Sequence, residues 1–235
     1  MGKELKACEI SLKIRLKEDI TYRNLPLILS QGINKCFLID KKSMILHKKN
    51  RCKNYSYSLL TPIEKDYYKA DNFYDLTIRF LSLELANSFY EGVKTIDNTI
   101  FTLVAAKKKE IKSTDNIIKT LESINPTIIT DNNRYVDSAH LKKKLVIDRI
   151  VSNTNHKMND FYGKNNITKY NFIEDVEPMS FQSSVFNYKK NGVLIGNKLR
   201  VKVKQDEKSQ ELAFIAYVSG LLEKNSLSFG FCKIR

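Results

Sequence analysis

Alternating apolar and polar residues predict that the chain begins with a half-buried β-strand. From Glu9 to Leu16 every second residue is apolar, which is the period of a strand that buries one face. Asn24 is a residue type favoured at helix N-caps, and the apolar residues that follow it, from Leu25 to Phe37, are spaced three and four apart. That spacing is typical of one buried helical face. A strand and then a helix are therefore expected at the start.

The rest of the first half continues with strand and helix patterns after a basic loop. Residues 41–53 contain six Lys or Arg residues and no acidic residue, which predicts an exposed loop. Strand-like segments are then expected at 55–60, 73–80 and 99–105, and a helical segment at 83–92. The predicted order of the first half is βαββαβ.

The second half gives the same order of elements. The stretch from 107 to 115 is charged and lacks an apolar period, so we place a boundary there, with domains at 1–112 and 113–235. The expected elements of the second half are a strand at 124–130, a long helix at 138–162, a hairpin of 181–188 and 193–203 that turns at Asn191 and Gly192, a helix at 210–222 and a strand at 226–234. The predicted fold class is α+β, with two tandem ferredoxin-like (RRM-like) domains that carry helices on one face of each sheet.

The net charge points to a polyanionic partner. The chain has 40 Lys and Arg residues against 26 Asp and Glu residues, which gives a formal net charge of +14. Nucleic acid is the partner that such a charge favours. A basic protein that is merely soluble is the alternative.

Cysteine spacing and apolar run lengths exclude two other classes of protein. Cys8, Cys36, Cys52 and Cys232 lie far apart, and no pair has the two-residue gap of a zinc knuckle, so no metal or other cofactor is expected. The N-terminal segment carries no signal-peptide stretch, and the longest apolar run, 212–222, is shorter than the about 20 residues of a membrane span. We expect a cytoplasmic protein with free thiols and no membrane partner.

Residues 198–204 predict a strand with a cationic face. Alternation places Lys198, Arg200, Lys202 and Lys204 on one face and three aliphatic residues on the other. At about 3.3 Å per residue the strand spans roughly 20 Å, which matches a few phosphates of one nucleic-acid backbone. The four cations are therefore candidate nucleic-acid-binding residues. A solvated edge strand that uses lysines against sheet pairing is the alternative.

A turn rich in small and polar residues joins the last helix to the last strand. It runs from Gly220 through Lys224, Asn225 and Ser226 to Gly230. Backbone N–H groups and hydroxyls in such a turn can bind phosphate, which makes these five residues candidate contacts for the phosphates of a nucleic acid. For the glycine that ends the helix, a simple helix cap is the alternative.

The same turn resembles the C-terminal glycine-rich loop of the CRISPR-associated endoribonucleases that process repeat RNA, members of the repeat-associated mysterious protein (RAMP) superfamily. That loop reads G-x-G-E-K-x-S-x-G-F-G, and the chain keeps the outer glycines as Gly220 and Gly230. Leu222 and Ser228 stand at the two inner glycines. This departure is expected to stiffen the loop or to remove a close approach of phosphate.

A second similarity to the family lies upstream. His47 is followed six residues later by Lys53 and then by the aromatic-rich segment 55–58, and Gln31 and Gly32 of the first helix also fit the family. The resemblance covers nearly the whole chain. It implies two ferredoxin-like domains in tandem, the same fold that the periodicity predicts.

The resemblance also implies a reaction and its residues. The family cleaves RNA without a metal ion, by attack of the ribose 2′-hydroxyl, and leaves a 2′,3′-cyclic phosphate and a 5′-hydroxyl. His47 would be the general acid or base, and Lys53 would stabilise charge in the transition state. Many members have a tyrosine four residues after the glutamine, where this chain has Lys35. Lys35 could act as a base only with a depressed pKa, and otherwise as electrostatic support.

Three functions stay open at this point. The leading one is a metal-independent endoribonuclease that generates guide RNAs from CRISPR repeat RNA. The second is a non-catalytic subunit that holds repeat or guide RNA in a CRISPR effector complex, in which His47 is an incidental surface histidine. The third is an RNA-binding protein unrelated to CRISPR. The expected partners are repeat RNA and other effector subunits, and the sequence leaves open whether the chain forms a homodimer.

Overall fold

The structure, a computed structural model, describes residues 4–39, 53–163, 169–189 and 192–235. Along these ranges the strands and helices fall into two successive groups. The first group is β1 (Lys6–Leu16), β2 (Ile20–Thr21), α1 (Leu25–Cys36), β3 (Tyr55–Tyr57), β4 (Tyr67–Tyr68), β5 (Phe73–Phe80), α2 (Leu83–Thr95) and β6 (Phe101–Lys112). The second group is β7 (Thr120–Ser123), β8 (Thr127–Ile128), β9 (Thr130–Asp131), β10 (Arg134–Tyr135), α3 (Lys143–Tyr162), β11 (Ile173–Pro178), β12 (Ser184–Tyr188), β13 (Gly192–Asn197), β14 (Leu199–Val203), α4 (Glu207–Ser219) and β15 (Cys232–Ile234).

Each group builds a four-stranded antiparallel sheet with the strand order of a ferredoxin-like fold. The orders are β3-β5-β1-β6 and β11-β14-β7-β15, so the first long strand of each group lies between the third and the fourth. Two large apolar clusters follow, one centred on each sheet. The predicted pair of tandem ferredoxin-like folds is confirmed. The domain division at residues 112–113 stays a prediction, and β6 ends at Lys112.

The first half follows its sequence pattern closely. β1 buries Ile10, Leu12, Ile14 and Leu16 as the alternation predicts. Asn24 is the N-cap of α1, but its side chain makes no capping hydrogen bond. Its Oδ1 instead accepts a hydrogen bond at 2.7 Å from Nδ2 of Asn187, which lies in β12 of the second half. The start of α1 is thus tied to the second half of the chain.

β6 corrects the prediction that residues after 106 leave the sheet. The strand continues to Lys112 because it pairs with β1 along its whole length, with Ser11 opposite Lys107 and Lys6 opposite Lys112. Lysines at 107–109 are exposed, and an edge strand tolerates such residues because one flank faces solvent. Residues 107–112 therefore belong to a strand although their sequence has no apolar period.

The predicted hairpin of the second half is confirmed in part. β12 and β13 are antiparallel, with Tyr188 opposite Gly192, while Asn191 lies outside the described residues. The segment predicted as one strand from 193 to 203 breaks at Lys198, because β14 belongs to the sheet of β7 and β11. β11 was not predicted; only Ile173 and Val176 of its six residues are buried, too weak an alternation to detect.

The other second-half elements keep their type but shift their ends. The predicted strand at 124–130 is interrupted, because the N–H groups of Ile124 and Asn125 both donate to the carbonyl of Phe231, at 2.8 and 3.1 Å, and turn the chain between β7 and β8. The last helix begins earlier than predicted, with Asp206 as its N-cap. No helix in the described ranges is both long and apolar enough to cross a membrane.

A buried arginine links the two halves. Arg79 of β5 donates to Glu9 at 2.7 Å and to the carbonyl of Cys232 at 2.7 Å. Its guanidinium carbon lies 3.9 Å from the ring centroid of Tyr217 and 4.2 Å from that of Phe231. The charge therefore has a carboxylate partner in its own sheet and aromatic faces from the other half.

Replacement of Arg79 should weaken the contact between the two halves and lower the free energy of unfolding. Arg79→Ala leaves Glu9 and a buried carbonyl without their donor, so we expect a loss of about 3 kcal/mol in the free energy of unfolding, measured with urea. The control is Arg15→Ala. Arg15 is half-exposed at the end of β1, and its guanidinium lies 3.9 Å from the Asp71 carboxylate. Its replacement should lower the free energy of unfolding by less than about 1 kcal/mol. Equal losses in the two variants would contradict a linking role for Arg79.

Candidate nucleic-acid interface

Three segments supply the predicted site: the end of α1, the residues before β3, and the turn between α4 and β15. Lys35, Lys53 and the turn are described. His47, the predicted general acid or base, lies outside the described residues, as does the basic loop from 41 to 52. The described parts of the site are therefore Lys35, Lys53 and the turn between α4 and β15.

Lys35 lies at the end of α1 and Lys53 lies just before β3, and these two segments pack against each other in the first hydrophobic core. The rings of Phe37, just after α1, and Tyr55, at the start of β3, have centroids 5.6 Å apart. Each ring lies two residues from one of the lysines. Lys35 is partly buried in the last turn of α1, and Lys53 is partly buried just ahead of β3.

The two lysines differ in their electrostatic surroundings. Partial burial lowers the pKa of Lys53 from its usual value, because the ammonium loses solvation. Lys35 lies near Asp97: a hydrogen bond from Lys17 chiefly lowers the pKa of Asp97, and the Lys35 charge contributes a smaller part.

Backbone angles and close contacts require glycine at the two outer glycine positions of the turn. The φ angles of Gly220 and Gly230 are +84° and +73°, a region that glycine adopts without steric cost. A Cβ on Gly220 would lie 2.5 Å from Nδ2 of Asn225, and a Cβ on Gly230 would overlap the carbonyl oxygen of Leu221. No side chain fits at either position.

Leu222 and Ser228 keep the left-handed backbone that glycine would favour. Their φ angles are +60° and +68°, which non-glycine residues adopt only at an energetic cost. The Leu222 side chain is buried in the second core. The Ser228 hydroxyl accepts from Nδ2 of Asn125 at 2.8 Å and donates to the carbonyl of Tyr57 at 3.3 Å. Both side chains point into the protein, so neither covers the outer face of the loop.

Asn225, one of the predicted RNA contacts, is buried inside the loop. Its Nδ2 donates to the carbonyls of Leu221, at 3.1 Å, and Phe229, at 2.8 Å. Its Oδ1 accepts from Nζ of Lys157 at 2.7 Å. The amide is thus occupied by the loop itself, and it shapes the loop rather than facing a ligand.

Lys157 was missed by the sequence analysis although its position carried a signal. It stands seven residues after Ile150 on α3, which places it on the buried face of that helix, and it is 4% exposed. A lysine on an apolar face is the pattern that could have identified it.

The loop is bonded to the strand that follows Lys53. The hydroxyl of Tyr57 donates to the carbonyl of Ser226 at 2.9 Å, and that of Ser56 donates to the carbonyl of Val218 at 2.7 Å. Nδ2 of Asn125 donates to the carbonyl of Tyr57 at 3.0 Å. β3 therefore links the glycine-rich loop to the segment that begins at Lys53.

Lys224 and Ser226 are the predicted loop residues whose side chains reach the outer face. Both are partly exposed. Nζ of Lys224 lies 5.2 Å from the ring centroid of Tyr188, and Nζ of Lys189 lies 5.3 Å from the same ring. An aromatic ring beside two ammonium groups offers stacking and charge, the combination that binds single-stranded RNA. Tyr188 was not predicted, and its place beside the hairpin turn was the available signal.

The cationic strand is an interior strand whose arginine is already paired. β14 lies between β11 and β7, so the edge-strand interpretation is wrong. Arg200 donates to Glu122 and to Glu177, both at 2.8 Å. Burial of Glu122 alone would raise its pKa, but the Arg200 hydrogen bond and the charge of Arg235 hold the pKa of Glu122 below its usual value. The charge of Arg200 is thus largely used within the protein.

The other three predicted cations lie on β14 or directly beside its ends. Lys202 is exposed on β14, while Lys198 and Lys204 flank the strand and are partly exposed. Nζ of Lys204 donates to the carbonyl of Asn171 at 2.9 Å, which leaves its charge without a carboxylate in that contact. These three lysines stay candidate phosphate contacts.

Comparison with known proteins agrees with this architecture. Residues 106–234 match the family model described as "CRISPR associated protein Cas6, C-terminal". A search of the curated proteins finds no match.

Solved structures match over almost the whole chain. One described as "CRISPR associated protein Cas6" has 20% sequence identity and a TM-score of 0.72, covering 97% of this chain and 99% of its own. A second, "An RAMP protein binding different RNA substrates", has 16% identity and a TM-score of 0.71 with the same coverage of 97% and 99%. The product of a Cas6-related gene from Pyrococcus furiosus has 18% identity and a TM-score of 0.66, covering 97% and 98%. Because the family model spans more than half of the sequence, the chain belongs to the CRISPR associated protein Cas6 family.

Proposed function

We propose that this protein is an endoribonuclease that binds CRISPR repeat RNA and cuts it into guide RNAs. Membership of the Cas6 family supports a role in CRISPR RNA processing, and the net charge of +14 favours a polyanionic substrate. The observation that carries the proposal is the hydrogen bond from Tyr57 to Ser226. It joins the strand that follows Lys53 to the glycine-rich loop, so one RNA backbone can meet both.

The proposed reaction is an internal transesterification. The ribose 2′-oxygen attacks the adjacent phosphorus, and the bond between phosphorus and the 5′-oxygen breaks. The products are a 2′,3′-cyclic phosphate and a 5′-hydroxyl. A base takes the proton of the 2′-hydroxyl and an acid protonates the leaving 5′-oxygen. Negative charge builds on the phosphoryl oxygens, so a nearby cation accelerates the reaction. The scheme uses no metal ion.

Three residues carry this chemistry in the proposal. His47 is the general acid or base, Lys53 stabilises the charge of the transition state, and Lys35 adds electrostatic support. The partial burial of Lys53 suits its role, because an ammonium that has lost part of its hydration attracts a phosphate more strongly than one in bulk water.

The RNA backbone is held by a different set of residues. Lys224 and Ser226 contact phosphate from the outer face of the loop, and Lys198, Lys202 and Lys204 do so along β14. Arg200 contributes less, since Glu122 and Glu177 already pair with it. Gly220, Asn225 and Gly230 act by shaping the loop, and the ring of Tyr188 offers a stacking surface.

Cleavage of repeat RNA in the presence of a chelator tests the proposed reaction. We expect a synthetic CRISPR repeat RNA to be cut in EDTA and to yield a cyclic phosphate end. A matched RNA with a 2′-deoxy sugar at the scissile nucleotide should bind but stay intact, because it lacks the attacking oxygen. If the wild-type protein binds the all-ribose repeat and leaves it whole, the function is that of a non-catalytic RNA-binding subunit.

The role of His47 can be separated from binding. His47→Ala should reduce the single-turnover cleavage rate at least 100-fold and change the dissociation constant for repeat RNA less than threefold. His156→Ala, on the exposed face of α3, is the matched control and should cleave at the wild-type rate. Wild-type turnover by His47→Ala would remove this residue from the reaction.

The lowered pKa of Lys53 predicts the alkaline limb of the pH–rate profile. As pH rises, the ammonium of Lys53 loses its proton below the usual lysine value of 10.5, and the rate should fall there. Lys53→Arg keeps its charge to higher pH, so the decline should move to higher pH, measured in single-turnover reactions. Lys144→Arg, at an exposed site of α3, should leave the limb in place. An unmoved limb in Lys53→Arg would exclude this titration.

A further inference from the structure

The ammonium of Lys157 sits at the centre of the glycine-rich loop. The residue projects from α3, and its Nζ donates to the carbonyls of Gly220, at 2.5 Å, and Leu222, at 3.1 Å, and to Oδ1 of Asn225 at 2.7 Å. The carbonyl of Ser219 lies 3.4 Å away. Four oxygens from residues between Ser219 and Asn225 thus surround one charge.

Asn225 extends this arrangement to the far side of the loop. With Oδ1 directed at Lys157, its Nδ2 is free to face the carbonyls of Leu221 and Phe229. The orientation of the amide is therefore set by the ammonium, since a reversed amide would bring two donors together. One lysine and one asparagine connect both ends of the loop through their side chains.

We propose that Lys157 is a positioning residue that holds the loop in its RNA-binding shape without contacting RNA. The inference rests on the proposed function, because it assigns a determinant of RNA affinity to that same site. Lys157 stands behind the loop, and Lys224 and Ser226 stand on the outer face. The ammonium acts on RNA through the backbone that carries these two residues.

Loss of the ammonium should open the loop. Without it, the carbonyls of Gly220 and Leu222 and the amide oxygen of Asn225 would be buried without a donor, and a buried polar group without a partner is costly. The loop can relieve this cost by exposing these oxygens to water. Such a movement displaces Lys224 and Ser226 from the place that β3 and Tyr188 define.

The matched comparison is between two buried polar residues of the same helix. Asn155 is 4% exposed, like Lys157, and its amide bonds to the carbonyls of Val151 and Tyr170 rather than to the loop. Lys157→Met and Asn155→Ala both remove buried hydrogen bonds from α3. Only the first removes bonds to the loop, so general destabilisation and loop positioning can be told apart.

The experiment measures repeat-RNA affinity by fluorescence anisotropy, at a temperature where circular dichroism shows each variant folded. The probe is a fluorescent CRISPR repeat RNA with a 2′-deoxy sugar at the scissile nucleotide. We expect Lys157→Met to raise the dissociation constant at least tenfold and Asn155→Ala to change it less than twofold. A folded Lys157→Met that binds within twofold of wild type would overturn the proposal, as would equal losses in both variants.

A double-mutant cycle supplies a second, independent readout. Asn225→Ala should weaken binding at least tenfold, and Lys157→Met added to it should weaken binding further by less than threefold, because both act through one loop. Full additivity contradicts the proposal. If Lys157→Met does not fold, Asn225→Ala alone decides: binding within twofold of wild type overturns it. Failure of the wild-type protein to bind the probe would instead refute the proposed function and this inference together.

Discussion

The site depends on the hydrogen bonds that β3 makes across the boundary between the two halves. This strand has three residues and lies at the edge of the first sheet, where its neighbour on one side is the loop of the second half. Tyr57, Ser56 and Asn125 supply the donors, and carbonyls of the opposite half accept most of them. Because the strand comes two residues after Lys53, the same contacts link the segment that begins at Lys53 to the glycine-rich loop.

The loop illustrates how a motif can persist while its glycines change. At the outer positions a Cβ would collide with Asn225 or with the backbone of the loop, so glycine is the residue that fits. At the inner positions the left-handed backbone remains, and a leucine and a serine occupy it with their side chains turned inward. Their burial and hydrogen bonds offset the strain of that backbone. Leu222 and Ser228 thus hold the left-handed backbone of the loop through contacts in the protein interior.

The pattern of the sequence predicts the fold well where one face of an element is buried. β1, β5 and α1 have clear periods, and the structure contains them close to the expected bounds. The pattern fails where pairing or a tertiary contact decides. β6 continues through lysines because β1 pairs with it, and β11 has too few buried residues to alternate visibly.

The same distinction between local pattern and tertiary contact applies to the candidate site. The sequence places Gly220, Lys224, Ser226 and Gly230 in one loop, which the structure bears out. It could not show that Asn225 turns inward, because that depends on a lysine 68 residues away. Nor could it show that Arg200 is shared between two carboxylates, since Glu122 and Glu177 come from neighbouring strands. Residues that act through long-range contacts are the ones that a single sequence conceals.

The length of β6 has a consequence for how copies of this protein meet. It is a twelve-residue strand at the end of its sheet, and an open ladder of that length is a template for aggregation. Lysines at 107–109 occupy the middle of that edge. Antiparallel pairing of two such edges would bring like charges from both copies into register, which is repulsive. The lysines in the middle of β6 therefore oppose edge-to-edge pairing between the sheets of neighbouring molecules.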